Sequence, residues 1–317
     1  MDRRTFIMAA STLAVAGGSR IANAKARTIL LRKETDVVAF TAERRFISLP
    51  QGKIAYVDRG RGPAALFLHG FPLNGYQWRG ALDRLSGMRR CIVPDVLGLG
   101  YTEPKQGQDL RAPAQAEMML ALLDRLGVGK VDLIANDSGC AVAQLILAHH
   151  GDRVRTLLLS NGDTEPDCPP VAIEAVIRDA KAEKFADWFP PQIADKAFAR
   201  RPEQLGGLTF TFPDRLTDDT IDIYLKPLAA NPARTNAYGR AAEGNPLAGL
   251  SGTLRNSKTP VRILWGTGDT IFKAEMADYL DKLFPKSRGV RRIEGAKLFF
   301  PEEYPDLIAE ELRALWA

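Results

Sequence analysis

The residues best placed to do chemistry lie between Lys130 and His150, in KVDLIANDSGCAVAQLILAHH. A run from Val131 to Ala135, apolar but for Asp132, meets Asn136-Asp137-Ser138-Gly139 without a spacer. An apolar-periodic segment, Ala141 to Ala148, follows with no Gly or Pro inside it. That order predicts a strand, a sharp turn and a helix. At such a junction the middle residue of a small-x-x-x-small pentad is pushed above the sheet edge on a strained backbone, which only small flanking residues permit. In Ala135-Asn136-Asp137-Ser138-Gly139 the middle residue is Asp137. A carboxylate there is ionised at neutral pH and is equipped to attack carbon or to take a proton. Two other readings stay open: Asp137 as a cap of the following helix, and Ser138 as the nucleophile. The second would put Asn136 and Cys140 at the positions that must be small.

These residues need a scaffold, and the chain supplies one. Arg44 to Asp58 alternates as a pair of edge strands turning at Pro50-Gln51-Gly52, and Ala64 to Leu68 is a continuous apolar run suited to a strand buried on both faces. It ends in His69-Gly70-Phe71-Pro72. Arg90 to Pro94 reads as a strand ending in Asp95-Val96-Leu97-Gly98-Leu99-Gly100, and Ala112 to Leu126 as a helix stopped by Gly127. Val154 to Ser160 is a further strand, followed by Asn161, Gly162 and Asp163; Val261 to Trp265 is another, followed by Gly266-Thr267-Gly268-Asp269. A helix from Lys273 to Leu283, a last strand from Gly289 to Ile293 and a closing helix from Tyr304 to Leu315 complete the chain. Strands alternating with helices predict an α/β fold with a mostly parallel, doubly wound sheet, whose active residues gather at the carboxyl ends of strands. His69, Asp95, Asp137 and Asp163 all fall at such ends.

Between Pro166 and Lys258 the strand signal disappears. Helical patterns such as Val171 to Phe185 are broken by Pro190-Pro191, Pro202, Pro213, Pro227 and Pro232. The expected organisation is a core of residues 25–165 and 259–317 with a helical cap, 166–258, lying over the strand ends and excluding water from a pocket.

Composition narrows the function classes. The chain has 317 residues, of which 45% are hydrophobic and 26% charged, a size and balance that suit one large globular domain with an insertion. Its net charge of +5 falls to +3 outside residues 1–24, where Arg3, Arg4 and Arg20 stand against Asp2. So balanced a surface gives no argument for nucleic acid or anionic lipid as a partner. Residues 1–24 read as a signal peptide, with a basic start, an apolar core to about Gly18 and an Ala22-Asn23-Ala24 cleavage site. Arg3-Arg4 with Phe6-Ile7 resembles a twin-arginine signal, which implies passage through the export machinery for folded proteins and a periplasmic mature form, with no stretch able to span a membrane. Cys91, Cys140 and Cys168 are too few for a disulfide framework. The absence of a CxxC or His-rich cluster gives no reason to expect a metal, and no cofactor is expected.

Together HGFP at His69 to Pro72, DVLGLG at Asp95 to Gly100, the elbow at Ala135 to Gly139, WGTGD at Trp265 to Asp269 and the late GAKLFFPEEYP resemble the α/β-hydrolase superfamily across the mature chain. The Asp elbow is similar to that of haloalkane dehalogenases and epoxide hydrolases. The resemblance implies that Asp137 attacks carbon to form an ester, which water then cleaves. It further implies that Phe71 and Ser138 give backbone N–H groups to an oxyanion hole, and that Asp269 or Asp163 is the acid partner. It brings in Tyr224 and Tyr238 as candidate substrate contacts, since epoxide hydrolases use a pair of cap tyrosines, and His69 and Trp78 are taken with them.

The departure is the general base. The register set by Glu302, Glu303 and Pro305 puts the family's His at Leu298. Lys297 and Glu302 are the nearest substitutes in sequence, and Asp269 or Asp163 could itself act as a base. The other histidines, His149 and His150, lie three turns beyond the elbow. The leading expectation is an exported enzyme hydrolysing an epoxide, carbon–halogen or ester bond of a small apolar substrate. The alternatives are a lyase, isomerase or cyclase in which Asp137 only moves a proton, and a catalytically silent binding protein.

Overall fold

The structure, a computed structural model, describes residues 34–317. The expected signal peptide, residues 1–24, lies outside the described residues. Nine strands form one sheet: β1 (Arg45–Leu49), β2 (Gly52–Arg59), β3 (Ala64–Leu68), β4 (Arg90–Pro94), β5 (Glu103–Pro104), β6 (Val131–Asp137), β7 (Val154–Gly162), β8 (Val261–Gly266) and β9 (Ser287–Ile293). Their order is β1-β2-β4-β3-β6-β7-β8-β9, with the two-residue β5 pairing beside β2. From β4 to β9 neighbours run parallel, while β1, β2 and β5 form an antiparallel edge.

The core helices are α1 (Val37–Glu43), α2 (Arg79–Leu85), α3 (Ala112–Arg125) and α4 (Gly139–His149). The segment between β7 and β8 carries α5 (Val171–Lys181), α6 (Phe189–Ala194), α7 (Lys196–Ala199), α8 (Leu205–Thr209), α9 (Asp218–Ala229), α10 (Pro232–Ala241) and α11 (Ser251–Leu254). The chain closes with α12 (Glu275–Leu283), α13 (Phe300–Glu303) and α14 (Pro305–Trp316). The fold is thus the expected α/β arrangement with a helical insertion. No helix among the described residues is long and apolar enough to cross a membrane.

The central strands explain why the sheet is parallel. All five residues of β3 and all seven of β6 are buried, so both faces need a covering layer, which only crossover helices supply. Each crossover returns the chain to the same sheet end, so the segments after β3, β4, β6, β7 and β8 converge there.

Not every proline in the insertion breaks a helix. Pro190 and Pro191 lie in the first turn of α6 and Pro232 opens α10, where a missing N–H costs nothing. Pro227, expected to end a helix, sits inside α9. Its ring removes the bond that the Ile223 carbonyl would have accepted. Asn74 of the core fills the gap, donating from Nδ2 to Ile223 O at 2.7 Å. The helix survives its proline because the core supplies the lost donor, and the insertion is tied down at that point.

Candidate active site

Asp137 closes β6 with φ at +56°, one of two non-glycine residues with positive φ among the described residues. The left-handed region costs such a residue about 1–3 kcal/mol, and its neighbours must hold it there. Ser138 already has helical angles, φ −61° and ψ −19°, and stands at the N-cap of α4 with no side-chain cap bond. The strained elbow residue is therefore Asp137. Neither the helix-cap reading nor the Ser138-nucleophile reading fits this backbone. The elbow's demand for small residues is visible at Gly139, where a Cβ would come 2.8 Å from the Leu68 carbonyl oxygen.

Two backbone donors meet the carboxylate. Phe71 N–H donates to Asp137 Oδ1 at 3.3 Å, and Ser138 N–H makes a short bond to the same oxygen. These are the two N–H groups expected to form an oxyanion hole. The Phe71 ring is fixed from the insertion: it stacks on Tyr238 with centroids 5.6 Å apart and tilts against Phe185 at 5.3 Å. Tyr238 also places its hydroxyl 3.4 Å from Ser138 Oγ.

Above the elbow lies a cavity of about 690 Å³. Asp137, Ser138, Phe71, Tyr238 and Asp163 line it, with Leu298 at the position where a histidine was expected. The insertion contributes walls that include Ile173, Val176, Phe185, Trp188 and Leu208. Sequence reasoning missed these. The run Phe185-Ala186-Asp187-Trp188-Phe189 was the available signal, but its composition does not say which faces turn inward.

The carboxylates at the strand ends divide into two kinds. Asp269 is held by structural partners: Asn161 Nδ2 donates to Oδ2 at 2.7 Å and Ile271 N–H to Oδ1 at 2.8 Å. Asn161 is itself clamped, accepting from Gly266 N at 2.7 Å and donating to Gly266 O at 3.1 Å. Asp269 is not among the cavity-lining residues. Its carboxylate ties the β7 and β8 ends together behind the cavity wall, where its charge is still felt by Asp137. Asp163 does line the cavity. Burial pushes its carboxyl up to about 8, with a further rise from the Asp137 charge and a decrease from the Cys168 thiol. Burial pushes Asp137 up to about 7, against the lowering effect of the Ser138 and Phe71 N–H groups, with the Asp269 charge adding to the rise. Asp95, as expected, holds its loop, accepting from Gly75 N and Tyr101 N, each at 2.8 Å.

Of the three other candidates, two lie away from the cavity and one lines it as a brace. Trp78 is fully buried against Phe67, centroids 5.5 Å apart, and does not reach the cavity. Tyr224 is fully buried and donates its hydroxyl to Glu302 Oε2 at 2.7 Å, beneath the insertion and away from the cavity lining. In both cases the residue type suited a binding role, but an apolar ring body was needed more in the core. His69 touches the cavity from below, yet both ring nitrogens are engaged: Nδ1 with Gly70 O at 3.0 Å and Nε2 accepting from Val96 N at 3.1 Å. Burial lowers its pKa, so the ring is a neutral brace between two loops.

The sequence-adjacent substitutes for the base are also committed. Glu302 pairs with Arg79 at 2.7 Å and Lys297 donates to the Gly207 carbonyl. His149 and His150 are exposed at the far end of α4. Among the described residues no group of His, Cys, Asp and Glu could hold a metal ion.

Comparison with known proteins agrees with this fold. The sequence profile of the α/β hydrolase fold matches residues 63–304. The chain is 25% identical over 284 residues to haloalkane dehalogenase 2 of Mycobacterium tuberculosis, covering 86% of this chain and 95% of that protein. It is 41% identical to epoxide hydrolase 2 of Siraitia grosvenorii, but over 101 residues, which cover 31% of this chain and 32% of that one. Among solved structures, haloalkane dehalogenase DbeA from Bradyrhizobium elkani superposes with a TM-score of 0.70 at 22% identity, covering 86% of this chain and 96% of that one.

Proposed function

The chain belongs to the α/β-hydrolase fold family, and on that premise we propose that it is an exported enzyme that cleaves an epoxide, carbon–halogen or ester bond of a small apolar substrate, with Asp137 as nucleophile. One observation carries the reading: Asp137 is held at φ +56° with Oδ1 against two N–H groups, at the floor of an apolar cavity of about 690 Å³. Backbone strain of this kind persists where the surroundings impose it, and a function for the residue explains why they do. The N–H pair would stabilise charge on Oδ1 when the resulting ester is attacked by water. Oδ2 is then the oxygen a substrate carbon meets. The relationship to haloalkane dehalogenases and epoxide hydrolases supports the same choice of bond.

A second reading, a non-hydrolytic lyase, isomerase or cyclase, is favoured by Leu298, since a step that needs no water does not need the base that Leu298 displaces. The two readings part on one experiment. Purified protein lacking residues 1–24 is incubated with panels of epoxides, alkyl halides and esters, and the Asp137 peptide is mapped by mass. Alkylation of Asp137 with product release supports the hydrolase. Turnover unaffected by Asp137→Ala would sink it, and turnover without any adduct or water incorporation would favour the second reading. Export is tested separately: Arg3→Lys with Arg4→Lys should hold the precursor in the cytoplasm.

A further inference from the structure

We propose that Asp163 takes the place of the missing histidine, shuttling one proton to and from substrate and water in step with Asp137, and that this pair selects epoxides over alkyl halides. The inference rests on the reading of Asp137 as nucleophile and names the substrate class that reading leaves open.

The placement of the two carboxylates is built by the sheet. Across the β6–β7 ladder Asp137 is the register partner of Gly162, and Asp163 is the next residue. The strand ends are drawn together: a Cβ on Gly162 would lie 2.4 Å from the Asp137 carbonyl oxygen. Gln144 of α4 fixes the turn by donating to the Asp163 carbonyl at 2.8 Å. Both side chains face the one cavity. The ionisable groups that bear on Asp163 are Asp137 on β6, Cys140 on α4, Tyr238 on α10, and Asp167 and Cys168 in its own loop. None is a cation: Lys273 pairs with Asp167 at 2.9 Å, and of the two cations that line the cavity, Arg111 pairs with Asp109 and Lys184 forms no salt bridge with either carboxylate. Two buried carboxyls with no countercharge share a site most favourably with one proton between them. Asp137 has two N–H donors on Oδ1, so the charge rests there and the proton on Asp163.

That protonation state fits an epoxide. Asp137 Oδ2 forms a bond to a ring carbon, the C–O bond of the ring breaks, and the departing oxygen takes the Asp163 proton. Asp137 is now a neutral ester, and Asp163, having given its proton to the ring oxygen, is left as a carboxylate. Water adds to the ester carbonyl and gives its proton to Asp163. The tetrahedral intermediate expels the diol oxygen, which takes the proton of the Asp137 acyl hydroxyl. Asp137 ends as carboxylate and Asp163 as acid, and epoxide plus water has become diol. An alkyl halide would leave as halide without needing a proton. Asp163 would stay protonated and the ester would have no base.

The test uses styrene oxide and 1-bromohexane with the protein lacking residues 1–24. Expected are diol turnover with the first and a persisting Asp137 alkyl ester with the second. Asp163→Asn, which can neither give nor take the proton, should slow both alkylation by the epoxide and release of the ester about 10²-fold or more. The bell-shaped pH profile of alkylation should flatten with it, and Asp163→Glu should restore part of the rate. A merely structural Asp163 would leave the pH profile unchanged in shape. Asp163→Asn turning over styrene oxide at the parent rate, or 1-hexanol released from the 1-bromohexane ester as fast as the diol, would overturn the proposal while leaving Asp137 as nucleophile. No Asp137 ester with either reagent would remove the nucleophile reading and this one with it.

Discussion

Two buried carboxylate clusters stand on either side of the sheet end, and they differ in one respect. Beneath the insertion, Glu302 bonds Arg79 and Tyr224, each at 2.7 Å, and the Arg79 guanidinium lies 4.1 Å from the Tyr76 ring centroid. Every charge there has an opposite. In the cavity, Asp137 and Asp163 have backbone donors, a thiol and each other, and neither is in a salt bridge with the Arg111 and Lys184 that line the same space. Burial raises the carboxyl pKa in both clusters, but only in the first does a neighbouring guanidinium pull it back. The contrast teaches which carboxyl is structural: the one whose charge is neutralised on the spot. The unneutralised pair is free to change its proton.

Four measurements would break or sharpen that contrast. The largest effect belongs to Asp137→Asn, which should cost on the order of 10⁴-fold or more in turnover while the protein stays folded, read by steady-state kinetics beside circular dichroism. Glu302→Gln should do the opposite, costing about 3–5 kcal/mol of stability in denaturant melts by stranding Arg79. Replacing both partners with apolar residues, Arg79→Met with Glu302→Leu, should recover most of that loss. If Glu302→Gln proved mild and instead removed activity, the division between the clusters would fail.

Leu298→His comes next. An imidazole beside Asp137 should speed hydrolysis of a trapped alkyl ester about 10²-fold, followed by intact mass over time. The smallest effect is on pH and stability. Asp137 and Asp163 are lifted to about 7 and about 8, so the folded state holds protons that the unfolded chain has released. Stability is then fully present below about pH 4 for these two groups and declines as pH rises towards 8. The loss should be roughly 2 kcal/mol, water in the cavity absorbing the rest. Asp163→Asn should flatten the slope and raise the melting temperature at pH 8.

The legibility of the chain followed the range of the interactions. The strands and the elbow were readable because each is set by neighbours: β6 is apolar up to Ala135 but for Asp132, and the small residues around Asp137 are within two positions of it. The surroundings of Asp269 were not legible because the side chain that bonds it, Asn161, is far away in sequence and meets it only across the β7–β8 ladder. Trp78 and Tyr224 have side chains that serve a pocket or a core equally well, and only their packing decides. Pro227 looked like a helix end because its rescuer, Asn74, belongs to a different part of the chain. The family relationship was legible in the order of the motifs, and the missing base in the register of a single segment.

Phe71 holds a position with a further consequence. Its amide faces Asp137 and its ring is gripped by Phe185, Phe189 and Tyr238, all from the insertion. The peptide unit that steadies the carboxylate is thus positioned from two sides, by the loop after β3 that carries it and by three rings of the insertion, so trimming any one of those rings should be felt at Asp137 Oδ1.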